Sequence, residues 1–184
     1  MLTAASACKP REDAAVDSLA AVPLPAPAQP SEIAPDSGRV TEYGIGSLRA
    51  GMTFAAANDS LRGALKAAPG ANLAECDYVK WEGGPSGLLV MVVENKIARI
   101  ETSDTSVATS AGARVGDSEE RIQSLYPGRV TVTPHKYGDG HYLTVQSANA
   151  DDSLYRIIFE TEKNRVTTFR AGIRPAVEYV EGCS

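Results

Sequence analysis

Acid–base or metal chemistry in this chain has to run through His135 and His141, its two histidines. They bracket His135-Lys136-Tyr137-Gly138-Asp139-Gly140-His141-Tyr142, in which Gly138 and Asp139-Gly140 have the composition of a tight turn between two strands. A hairpin there would bring the imidazoles together across the strands with Asp139 nearby, a weak divalent-metal arrangement. The plainer reading, adopted here, is a polar, aromatic-bearing loop at one end of a sheet, where binding function is commonly carried; it needs no metal and no cofactor. Nucleophilic catalysis has less support. There is no Gly-x-Ser-x-Gly elbow, and Ser86 in Gly84-Pro85-Ser86-Gly87 has no general base expected near it. Of the paired acids, Asp151-Asp152 and Glu119-Glu120, the second pair opens a helix, where negative charge complements the dipole. Asp104-Thr105-Ser106 has the pattern of a capped turn, and no phosphate-cradling glycine loop follows a strand. The sequence therefore argues against an enzyme. Its candidate binding residues are Trp81, His135, Lys136, Tyr137, Asp139, His141 and Tyr142, because aromatic side chains dominate interface hot spots and stack on sugars. Trp81 precedes Glu82-Gly83-Gly84-Pro85 and so stands at a strand end, where core packing is its competing role.

The elements that must position these residues show period and punctuation. Arg49-Ala50-Gly51-Met52-Thr53 and Arg114-Val115-Gly116-Asp117-Ser118 share Arg, a small or β-branched residue, Gly, and then Thr or Ser as a helix N-cap. Phe54, Ala57, Leu61 and Leu65 follow the first at helical spacing. Ile122, Leu125 and Tyr126 follow the second, before Pro127-Gly128 ends it. Strands are expected at 74–81, 129–133 and 141–146, and hairpins at 87–93 with 97–101 and at 155–160 with 165–169. The two helix signals lie 65 residues apart, and the hairpins nearly so, the mark of a duplication. The expected fold class is α+β: two helix-plus-antiparallel-strand repeats, about 44–108 and 109–184, forming one sheet with the helices packed on one face.

Composition limits the setting. Six of the 11 prolines precede residue 36, among Ala, Ser and Gln, so residues 9–38 read as a disordered Pro/Ala-rich tether and residues 39–184 as the globular domain. The net charge is −5 and no two Lys or Arg are adjacent, which removes a nucleic-acid footprint. No stretch is long and apolar enough to span a bilayer as a helix. Ala5-Ser6-Ala7-Cys8 just before the tether resembles the lipobox of bacterial lipoproteins, with Ala5 where the best examples carry Leu. That resemblance makes residues 1–8 the remainder of a signal peptide whose leader continues upstream, and Cys8 the acylated residue. With Cys8 assigned to lipid, Cys76 and Cys183 remain as an even pair, and an oxidising periplasm would join them.

Gly51-Met52-Thr53 opening a helix resembles the small-protein A/outer-membrane lipoprotein A family, to which the BamE component of the outer-membrane assembly machine belongs. A tandem pair of such units is similar to the β-lactamase inhibitor protein, and Glu181-Gly182-Cys183 resembles the ending of small proteobacterial lipoproteins. Asp117 stands where the second copy would carry Met. The resemblance spans roughly residues 44–184 and implies protein binding. The expectation is a non-catalytic periplasmic protein, anchored to the outer membrane by lipid alone, that binds a periplasmic or secreted protein as inhibitor, immunity factor or envelope accessory. The alternative is a carbohydrate or peptidoglycan-binding module using Trp81, Tyr137 and Tyr142.

Overall fold

A computed structural model describes residues 38–183, together with residues 1 and 3. Cys8 and the expected tether up to residue 37 lie outside the described residues. The chain divides into two units, residues 1–32 and 33–184, and the architecture is that of the second.

Three two-residue strands, β1 (Val40–Thr41), β2 (Gly44–Ile45) and β3 (Leu48–Arg49), form a small antiparallel sheet. Helix α1 (Phe54–Ser60) follows its N-cap Thr53, whose hydroxyl accepts from the Ala56 N–H at 3.2 Å. Next come β4 (Leu65–Ala67), β5 (Cys76–Trp81), β6 (Leu88–Val93) and β7 (Lys96–Thr102). Helix α2 (Glu119–Leu125) is capped by Ser118, which accepts from the Arg121 N–H at 3.3 Å. The chain closes with β8 (Val130–Pro134), β9 (His141–Gln146), β10 (Tyr155–Glu162) and β11 (Arg165–Ile173), then a short 3₁₀ turn over Ala176–Glu178. Strands β4 to β11 make one eight-stranded antiparallel sheet in the order β4-β5-β6-β7-β11-β10-β9-β8.

The two faces of that sheet differ by one residue of register. The cross-strand row Val79, Val90, Ile100, Ala171, Ile157, Val145 and Val130 is apolar throughout and lines the core. The neighbouring row Lys80, Leu89, Glu101, Arg170, Ile158, Thr144 and Thr131 faces the other way. At the central β7–β11 seam Gly172 is obligatory, since a Cβ there would lie 2.3 Å from the Ala98 carbonyl oxygen.

The fold corrects the expected class. The protein is mostly antiparallel β, an eight-stranded and a three-stranded sheet, rather than an α+β fold of helix-plus-strand repeats with helices packed on one face. The reason lies in the helix signals. Leu61 caps α1, Arg62 and Gly63 take positive φ of 56° and 79°, and Leu65 enters β4, so the apolar spacing outruns the helix. Each helix is only seven residues long; α1 buries Ala57, and α2 buries Ile122 and Glu119. The core face is therefore also covered by Val40, Ile45 and Leu48 of the small sheet, which the sequence reading did not anticipate.

Candidate functional site

The loop between β8 and β9 holds most of the candidate residues. It forms because Pro134 pairs with His141, and the His135 N–H donates to the Gly140 carbonyl at 2.9 Å. Gly140 sits so close to the end of β10 that a Cβ would meet the Thr161 carbonyl at 1.7 Å. This register sends the two imidazoles to opposite faces of the sheet, so the two-histidine metal arrangement does not form. Among the described residues there is no group of three metal-ligating side chains.

His141 joins the core side. Its Nδ1 lies 2.9 Å from Glu119 Oε1 on α2, and that same oxygen accepts from the Thr161 hydroxyl at 2.6 Å. Glu119 stands in the first turn of α2, as expected, and is also 8% exposed, docking the helix onto β9 and β10. His135 turns to the other face. Its ring stacks on Tyr142 at 4.6 Å between centroids, and its Nε2 is 3.7 Å from Glu160 Oε2. Tyr137 is 63% exposed, its ring lies under Lys136 Nζ at 4.8 Å, and its hydroxyl donates to Glu181. Lys136 Nζ reaches the same Glu181 carboxylate at 3.4 Å. Asp139 lines, with His135, Tyr137 and Thr161, a cavity of about 460 Å³ at the loop's flank.

Trp81 is not part of this surface. It pairs with Leu65 at the end of β5, half-buried on the core face. Its competing role as a packing residue is the one its position describes.

The open face carries a charged cluster that sequence reading missed. Arg99 on β7 and Arg170 on β11 are 3% and 5% exposed. Arg99 pairs with Glu101 at 2.6 Å and donates to the Tyr78 hydroxyl at 2.9 Å. Burial, and then the nearby Glu101 carboxylate, raise the Tyr78 phenol above its ordinary range. Arg170 pairs with Glu160, whose second oxygen faces His135. Arg156 on β10 pairs with Glu178 at 2.6 Å, and burial lowers its guanidinium from the usual value. The available signal was the appearance of Arg99, Glu101, Arg156 and Arg170 inside otherwise apolar strand runs, at alternating positions that a one-sided sheet turns away from its core.

The C-terminal residues 174–183 cross this face. Cys183 is joined to Cys76 on β5 by a disulfide, S–S 2.05 Å, across 107 residues of sequence. Arg99 donates to the carbonyls of Ala176 at 3.2 Å and Tyr179 at 2.7 Å, and Arg170 Nε donates to that of Val177 at 2.6 Å.

No protein-family model matches the chain, and no curated protein matches it. Among solved structures it is similar to one described as the crystal structure of the uncharacterized protein YfeY from Escherichia coli, at 18% identity over 73% of this chain and 99% of that one, with a TM-score of 0.45.

Proposed function

We propose that this is a non-catalytic, lipid-anchored envelope protein that binds another protein through the β8–β9 loop. The observation that carries the reading is Tyr137, a large aromatic side chain left 63% exposed at the tip of a loop braced by the His135–Tyr142 stack and by Lys136. A rigid, amphipathic ring of this kind buries much area at little entropic cost, as interface anchors do. The acid–base groups, by contrast, are spent on holding elements together: Glu119 with His141 and Thr161, Glu160 with Arg170, Glu101 with Arg99 and Glu178 with Arg156. Of the three aromatic residues considered for a sugar site, Trp81 packs on the core face while Tyr137 and Tyr142 both contact the His135 ring, which supports the loop rather than a three-ring platform.

The test is site-specific photocrosslinking in the cell envelope. A benzophenone side chain at position 137 should capture a discrete protein partner, and one at exposed position 62, beyond α1, should not. Tyr137→Ala should then weaken binding of that partner by about 1–3 kcal/mol while changing the unfolding midpoint little. Capture at neither position, or equally at both, would overturn the loop as the binding surface.

A further inference from the structure

Residues 174–183 lie on the open face as a ligand would, rather than as a ninth strand. No residue of the segment pairs with a strand of the sheet, and it is held by side chains reaching up from the strands. Three arginines, Arg99, Arg156 and Arg170, meet its carbonyls and the Glu178 carboxylate, while Glu181 is met by Lys136 and Tyr137. The face has three guanidinium groups against its own Glu101 and Glu160, and the segment brings two carboxylates against one cation, Arg174, which itself lies 3.0 Å from Glu178.

The fit is incomplete. Cavities of about 150 and 130 Å³ remain between the segment and the sheet, both lined by Val180 from above and Arg170 from below. The second cavity is also lined by Arg99, a residue 3% exposed whose Nε has no partner among the described residues. Arg156 Nε is likewise buried without a partner. The apolar anchor of the segment is Ala176 and Val177, 4% and 0% exposed, with Ala176 in a cluster with Met91 and Ala98 on which Cys183 also packs. Lifting the segment would return the arginines to water and would also uncover Met91, Ala98 and Ile158, which are 0%, 4% and 4% exposed beneath it.

We propose that the face bearing Arg99, Arg156 and Arg170 is a docking site for an extended acidic peptide segment of a partner protein. In the oxidised protein it is occupied by residues 174–183, and it opens when the Cys76–Cys183 bond is reduced. The disulfide is placed to act as the latch, because both cysteines line a surface cavity of about 390 Å³ with Tyr179, Glu181 and Gly182. The step is thiol–disulfide exchange with a dithiol reductant. A thiolate of the reductant attacks Cys183 Sγ, and the bond breaks with its electron pair going to Cys76 Sγ, which takes up a proton. The second thiol of the reductant then displaces Cys183 as a thiol, leaving one disulfide on the reductant. The inference rests on the reading of the protein as a binder, and its face borders the β8–β9 loop where Lys136 and Tyr137 meet Glu181.

The test uses the full chain and a fluorescent peptide with the sequence of residues 174–183 carrying Cys183→Ser. Anisotropy titration should show the peptide binding dithiothreitol-reduced protein about tenfold or more tighter than oxidised protein, because the competent fraction rises when the tethered occupant leaves. A peptide with Glu178→Lys and Glu181→Lys should lose that affinity. Should the reduced chain unfold, the oxidised variant Glu178→Ala/Glu181→Ala keeps the latch but loosens the strap. It should bind the peptide more tightly than wild type and exchange the Tyr179 amide hydrogen faster. Equal binding to the closed and opened forms, or equal binding of a scrambled peptide, would overturn the proposal. If that occurs while position 137 still captures a partner, the peptide face fails and the binding function stands.

Discussion

Tyr126 shows what a single buried side chain contributes. It is 3% exposed, packs against Phe159 with ring centroids 6.1 Å apart, and donates its hydroxyl to Thr109 at 2.7 Å. Burial pushes its phenol up to about 12 from the usual 10.0. A folded-state value above the unfolded one means that the native chain holds the proton longer. The stabilisation is complete below about pH 10 and is lost as pH rises toward about 12, a swing on the order of 2–3 kcal/mol. Urea denaturation across that window should show wild type losing stability more steeply than Tyr126→Phe, which has no proton to lose. Parallel slopes would mean that the phenol ionises at its unfolded value. At this scale the sequence was legible for the caps Thr53 and Ser118 and for the Asp104 turn, where Asp104 accepts from the Ser106 N–H at 2.8 Å. Each is a contact between near neighbours, set by residue type alone. The partner of Glu119 was not legible, because Thr161 and His141 reach it only after three elements have packed.

At the scale of elements, short helices need something beyond propensity to stay on a sheet. For α2 that is Glu119, whose carboxylate joins the helix to the ends of β9 and β10. Glu119→Ala removes the shorter of the two acceptors of the buried Thr161 hydroxyl, leaving the His141 carbonyl at 3.2 Å, and takes away the carboxylate partner of the His141 ring, so it should cost about 1–3 kcal/mol of stability in a denaturant titration. The exposed Glu120→Ala on the same turn should cost under about 1 kcal/mol. The strands from β5 to β11 were largely readable, since Glu94-Asn95 and Lys163-Asn164 adopt the positive φ of tight hairpin turns and the flanking runs are β-branched. Strands β1 to β4 were not, being two or three residues long with no room for a period to show.

For the molecule as a whole, the Cys76–Cys183 bond closes a loop of 107 residues. Cross-linking a loop of this length removes about 5 kcal/mol of denatured-state entropy in the chain-entropy model, so reduction should lower the thermal midpoint clearly while far-UV circular dichroism at 25 °C persists. An unchanged midpoint would show that the bond constrains neither state. In cells, the proposed acylation predicts that the protein fractionates with membranes and that Cys8→Ser releases it; wild type found soluble with a free Cys8 thiol would defeat the anchor. What the sequence by itself determined are features written in nearest neighbours and in simple counting: the caps, the hairpin turns, the alternation of the strands and the pairing of the two cysteines left after Cys8. Tertiary structure alone decided that β7 lies beside β11, that His135 and His141 part to opposite faces, that Trp81 belongs to the core side, and that residues 174–183 cover three sheet arginines. The physical reason is register. A shift of one residue in pairing turns every side chain to the other face, and that choice is made by contacts between residues far apart in the chain, which local periodicity does not carry.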